Sequence, residues 1–486
     1  MAISLLLIIA KWILRFTTNF VNMQTITLRN LSLIILGLIS QIAFTQTDNT
    51  SYINTGRGGT ATTFATDYQA IGINPANIDS FANHTFLAIG FAETGVSFYS
   101  EALKKTDVRT MLFGRKNPIT PQEAQNLGQS FAEEGMTVNY DMRAFGLGFK
   151  IGNAGALAFA LDLHASHYSI LGEQASSLIF EGYNYANYFD TIVFTPQDTF
   201  GVSNNPLSFY QLAKGTRIKG SADMTFNAGW GMQIYENDFI KVRLGVGAKY
   251  VLSYAYYDLN ATENSLGGYS AISNNPFDLT SGQTPSQIYN NYKPVGKGLG
   301  FDVGANITLF KDLDVGISVV NIGTMNYTAN LISFNDYVLD TVSFSGLNST
   351  NPVDLMYDIV NEENLIQYNG IEKLSVSMPT TLRFGLGYRL FNDLQLGADL
   401  VLPLLQVANS YPAAYLGLGA ELRVLKILKI SSGISVGGGY KNAVPFGIGL
   451  DFGLWEIGVA SRDVTTWFGQ SSPYVSGTAG LLRFRL

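Results

Sequence analysis

The residues able to do chemistry are few, and their spacing does not bring them together. Two of the three histidines are His164 and His167. A spacing of three sends them to opposite faces of a regular strand, so a two-histidine metal site would need a bulge between them. With no cysteine, the chain has no thiolate ligand, disulfide or cysteine nucleophile. Gly56-Arg57-Gly58-Gly59 has the small residues of a phosphate-cradling loop, but no strand pattern precedes it and no Gly-Lys-Ser/Thr follows. Serine, histidine and aspartate occur along the chain without any mark of an activated serine. These residues read as a protein that is not an enzyme and holds neither metal nor cofactor. What remains is a set of charges, Asp162, Lys219, Asp223, Arg243, Lys249, Asp302, Arg383, Asp399, Glu421 and Arg423, on faces otherwise made of Gly, Ala, Ser and Thr.

Strands must carry those charges. Across 218–234 the even positions Ile218, Ala222, Met224, Phe226, Ala228, Trp230, Met232 and Ile234 are apolar, and Lys219, Ser221, Asp223, Thr225, Asn227 and Gln233 alternate with them. Segment 240–256 repeats the pattern, with Ile240, Val242, Leu244, Val246, Tyr250, Leu252, Tyr254 and Tyr256 expected outward and Lys241, Arg243, Gly245, Gly247, Lys249 and Ser253 inward. Within 137–151 the apolar phase changes from Val138, Tyr140 and Met142 to Phe145, Leu147, Phe149 and Ile151. A one-residue bulge near Arg143-Ala144 would produce that change.

About fourteen such segments follow residue 83, and their junctions are alternately short and long. Short ones fall at 152–155, 236–238, 311–312, 392–393, 426–427 and 453–454; long ones span 102–134, 173–215, 262–296 and 332–375. In an up-and-down barrel every second junction emerges at the same end, so this parity predicts an all-β, transmembrane, antiparallel β-barrel in outer-membrane lipid, with short periplasmic turns and long outside loops. The last six residues put Leu482, Phe484 and Leu486 on one face and Arg483 and Arg485 on the other, as a closing strand would. Within the long loops, 121–133 and 353–366 read as short helices starting after Thr120-Pro121 and Pro352.

Composition agrees. Apolar residues are 47% and charged ones 14%, with 50 glycines, 31 Phe and 26 Tyr. Past residue 45 no apolar run is long enough for a spanning helix. The net charge of −7, with no basic tract, argues against a nucleic-acid partner. Residues 1–45 read as an overlong start followed by a secretory signal. Met23 begins a short segment carrying Arg29, an apolar stretch runs from Leu31 to Ile42, and cleavage is expected near Thr45/Gln46.

Residues 55–78 are of a different kind: small residues through Gly56, Gly58 and Gly59, then Asp67, then Asn74-Pro75-Ala76. This run resembles the N-terminal hatch of the FadL-type hydrophobic-compound transporters and of the related PorV-type barrels of the type IX secretion system. Val319-Val320-Asn321-Ile322-Gly323 and the stretch from Met378 to Tyr388 are similar to two further stretches of that superfamily, nearest a branch found in Bacteroidetes-like bacteria. The resemblance implies a barrel of fourteen strands over residues 83–486, its lumen blocked by a hatch at residues 46–82. The glycines permit turns and close backbone approach, Pro75 fixes a bend, and Asn74 can pin local backbone groups. Two functions fit. One is passive uptake of a hydrophobic or amphipathic ligand. The other is an accessory barrel that binds exported proteins or a secretion machine through its loops. The inward charges fit either a mutually neutralising network or a selectivity device.

Overall fold

Strict alternation of apolar and small or polar residues gives each strand one face for lipid and one for a bore. The computed structural model describes residues 50–81, 85–100, 102–104, 119–132, 134–196, 198–262, 265–274, 287–288, 292–343, 345–346, 367–391, 393–408, 410, 413–438, 440–468 and 474–486. The leader read at 1–45 and the helix read at 353–366 lie outside them.

Fourteen strands form the wall. They are β1 (Leu87–Ser100), β2 (Gly135–Lys150), β3 (Ala156–Ile170), β4 (Arg217–Glu236), β5 (Ile240–Ala261), β6 (Gly296–Leu309), β7 (Leu313–Tyr327), β8 (Thr381–Leu390), β9 (Leu394–Pro403), β10 (Tyr415–Val424), β11 (Leu428–Gly437), β12 (Phe446–Asp451), β13 (Trp455–Ser461) and β14 (Tyr474–Arg485). Each is antiparallel to the next. The ring closes where β14 returns to β1, from Ala88↔Arg485 to Tyr99↔Tyr474. Closure leaves the wall itself without a free edge, since every wall strand has a hydrogen-bonded neighbour on both sides.

The outward face is apolar: Phe159, Phe226, Val246, Leu299, Phe301, Leu386, Leu418 and Ile434 are all exposed. A continuous belt of this kind is stable only against hydrocarbon, which makes the chain a β-barrel of the outer membrane. No helix among the described residues is long and apolar enough to cross a membrane.

The bulge expected near Arg143-Ala144 is present. Arg143 pairs with Asp162 and Phe145 with Leu161, leaving Ala144 extra; across the ladder Ala92 is skipped as well, with φ 53°. One expectation is corrected. Tyr256 faces the bore, its ring tilted against that of Tyr327 with centroids 4.6 Å apart, rather than lipid. The cause is a second bulge, since Ser253 pairs with Asp223 and Ala255 with Ala222, so Tyr254 is extra and the alternation reverses beyond it.

At the long-loop end, Pro121–Phe131 forms the helix expected there, opened by a capping box in which Thr120 and Glu123 bond each other's backbone amides. It packs on Glu173–Glu181, with Phe131 and Phe180 rings 5.1 Å apart.

Residues 50–81 run inside the ring of strands as short helical turns, Tyr52–Gly56, Asp67–Ala70 and Pro75–Asp79. Nearly all of them are buried. They fit because the wall lacks side chains where they touch it. A Cβ on Gly417 would collide with Gly58 O, one on Gly419 with Arg57 O, one on Gly245 with the Pro75 carbonyl, and one on Gly304 with Asn74 Oδ1. Gly417→Val is therefore expected to unseat this segment while the wall still forms. Trypsin should then cut after Arg57, which is 2% exposed in the native barrel, in protein that still shows heat-modifiable gel mobility. Gly477→Ala, where a Cβ meets nothing within 4 Å, should stay resistant. Protection of Arg57 in the valine variant would show that close approach is not what seats the segment.

Candidate functional site in the bore

The inner segment is tied to the wall by polar contacts from many strands. On β9, Asp399 Oδ2 accepts from the Ala61 amide at 3.0 Å, the Thr62 amide at 2.8 Å and Thr62 Oγ1 at 2.6 Å. Arg383 on β8 sits 3.8 Å from the same carboxylate. Glu421 on β10 faces Arg57 at 3.8 Å. Arg143 on β2 binds Asp162 on β3 through two nitrogens, at 2.8 and 3.0 Å, and donates to Tyr68 O and Ile71 O at 2.9 and 3.3 Å. Asn227 also donates to Asp162, at 3.0 Å.

Of the other expected charges, Lys249 pairs with Asp302 at 3.0 Å. Arg243 lies 3.4 Å from Asp314 and reaches Ser80 of the inner segment. Lys219 donates to Val407 O at 3.3 Å and lies over the Tyr168 ring. Asp223 accepts from Ser221 Oγ at 2.7 Å. Arg423 differs: its side chain is 40% exposed, beside the short turn after β10, and pairs with Asp451 at 3.0 Å. Most of these groups thus bond one another or the inner segment, as a neutralising network does.

Several members were not among the expected site residues. Lys429 bridges Asp451 and Glu456 at 2.9 and 3.3 Å. Arg483 joins Glu456 at 3.3 Å to Asp67 at 2.7 Å. Tyr52 and Tyr68 donate to Glu456 and Glu93, each at 2.8 Å. Each wall member holds the inward parity of its strand, and that parity was the available signal.

Within the inner segment, Gly58, Gly59 and Gly72 have left-handed φ of 68°, 77° and 75°. Gly56 packs against Ser431 and Gly447 on the wall. Asn74 accepts from the Ala76 amide at 3.2 Å and donates to Thr62 O and Ala305 O at 3.0 and 3.2 Å, just ahead of Pro75. The expected hatch residues therefore meet the wall at separate points around the ring: Gly56 at β11 and β12, Asp67 at β14, Asn74 at β6 and Pro75 at β5.

A cavity of about 90 Å³ adjoins this segment, with Gly72 in its lining. One arc carries Asp141, His164, Asp223 and Asn227, and another Val251, Val320, Met325 and Met378 interleaved with Lys249, Asn321 and Arg383. His164 Nδ1 lies 2.6 Å from Asp141 Oδ1. His167 is on the opposite wall face, as its spacing requires, with Tyr257 Oη and Ser169 Oγ each 3.0 Å away. Among the described residues no group of three His, Asp or Glu side chains is placed to hold a metal ion.

Fold and bore together define an outer-membrane β-barrel filled by its own N-terminal segment. The chain belongs to the family of unknown function DUF5723, whose model matches residues 75–459. Among solved structures it is similar to the toluene transporter TodX of Pseudomonas putida, at 11% identity over 92% of this chain and 99% of that one, TM-score 0.42. It is also similar to the toluene transporter TbuX of Ralstonia pickettii, at 12% identity over 90% and 98%, TM-score 0.42. A third is a FadL homologue of Pseudomonas aeruginosa, at 10% identity over 91% and 97%, TM-score 0.41. No curated protein matches the sequence.

Removing one member of a buried ion pair costs about 3–5 kcal/mol. Asp399→Ala, which also strips the acceptor from two backbone amides, should loosen the turn at Ala61 and Thr62. Hydrogen exchange there is expected to accelerate about 100-fold or more, the tenfold-per-1.4 kcal/mol equivalent of that loss. Unchanged exchange would show that Asp399 does not anchor the segment.

Proposed function

We propose that this barrel passes small hydrophobic or amphipathic molecules inward across the outer membrane by passive diffusion, with residues 46–82 as a hatch. One observation carries the reading. The part of that segment in view, 50–81, fills the bore yet contributes no strand to the wall ladder. Its ties are side-chain bonds and van der Waals contacts, so it can shift while every interstrand hydrogen bond stays intact. A strand in its place would have made the obstruction part of the barrel. The lining of the adjoining cavity mixes methionine and valine with polar and charged groups, which suits an amphipathic solute. The braces from Asp399, Glu421 and Arg483 act as the latch, and movement near Asn74-Pro75-Ala76 admits the solute.

A staple tests this. Thr55 Oγ1 and Thr478 Oγ1 are 3.0 Å apart, so cysteines there reach disulfide bonding distance with about a 1 Å shift. The chain has no other cysteine. Cells with a lipopolysaccharide-covered outer membrane, carrying the Thr55→Cys/Thr478→Cys barrel, are expected to take up N-phenylnaphthylamine at the background rate when oxidised. On reduction they should regain the wild-type rate. Equal, above-background uptake in both states would sink the hatch reading. No uptake in either state, with exported proteins captured on the loops, would replace it with the accessory-barrel function.

A further inference from the structure

The cavity beside the inner segment is lined by a histidine with one ring nitrogen buried and without a partner. His164 is 8% exposed, lines the cavity, and its Nε2 meets no donor or acceptor. In the neutral ring the proton belongs on Nδ1, which faces the Asp141 carboxylate at 2.6 Å. That leaves Nε2 a lone pair and makes it an acceptor. A buried acceptor without a donor is unfavourable, and a donor on a bound molecule relieves it.

The surroundings define the rest of such a molecule. Asp223 is the register partner of His164 on the neighbouring strand, so both side chains project from the same face of the wall. On the other arc, inward glycines of β6 clear space for two thioethers: a Cβ on Gly298 would overlap Met325, and one on Gly300 would lie 2.7 Å from Met378 Sδ. Polarisable methionine surface of this kind adapts to apolar groups of varied shape.

We propose that this cavity binds a small molecule with an apolar body and one hydrogen-bond-donating head, a hydroxyl or a protonated amine. The head donates to His164 Nε2 beside Asp223, and the body packs on Met325 and Met378. The assignment rests on the uptake reading for its role in transport and names the class of solute.

The test is isothermal calorimetry on the purified full-length barrel with benzyl alcohol, benzylammonium and toluene. At least one of the two head-bearing probes is expected to bind about tenfold more tightly than toluene, the size of effect one hydrogen bond gives. The tighter of the two tells whether the head is neutral or charged. His164→Phe should abolish that preference without weakening toluene, and His164→Gln, which keeps an acceptor, should retain it. If the phenylalanine variant lacks heat-modifiable mobility, His164→Leu carries the same expectation. Equal affinity for all three probes, or a preference that survives loss of the acceptor, overturns the assignment. Because binding is read at equilibrium, head discrimination without uptake overturns the uptake reading alone. Uptake without head discrimination overturns only the ligand class.

Discussion

Everything in the bore depends on how closely two backbones approach. The inner segment sits against the wall at inward positions that carry no Cβ, among them Gly245, Gly304, Gly417 and Gly419. This close approach lets wall side chains serve the backbone of the segment. Tyr415 Oη donates to Gly58 O at 2.7 Å, and Asp399 accepts from two amides. Buried peptide groups that no helix or ladder satisfies need such partners. Glycine content and bore chemistry are therefore one feature: small positions admit the segment, and the polar positions between them bind it.

The ion pairs are better understood as positional devices than as a source of net stability. Burying a charge pair offsets much of its own attraction through lost hydration. What the pairs do is fix the depth and rotation of the segment, because its partners lie far apart around the ring: Arg57 meets β10, Thr62 meets β9, and Asp67 meets β14. A shift of one residue in any strand would turn its partner toward lipid, so wall register and segment placement enforce each other.

Much of the barrel was legible because period two is a local signal that survives burial. The bulge at Ala144 could be read since the apolar phase visibly slips there. The one at Tyr254 could not, because tyrosines lie on both sides of it and look equally apolar in either orientation. Opposite faces for His164 and His167 followed from spacing alone. Which inward charge meets which partner did not, since Asp67 and Arg483 are separated by almost the whole chain, and no local pattern encodes that distance. Short turns were recognisable by position, yet Phe310-Lys311 and Leu425-Lys426 take left-handed φ of 51° and 71°, and 51° and 62°, with no glycine to announce it. The cavity escaped detection because it lies between strands distant in sequence.

The seam between β1 and β14 joins the two ends of the wall, and the inner segment is gripped from both of its sides: Tyr68 by Glu93 of β1, Asp67 by Arg483 and Thr55 by Thr478 of β14. Because the segment holds both strands that meet at this seam, it acts as an inner clasp across the one junction that no sequence-neighbouring hairpin enforces: ring closure and segment seating support each other there.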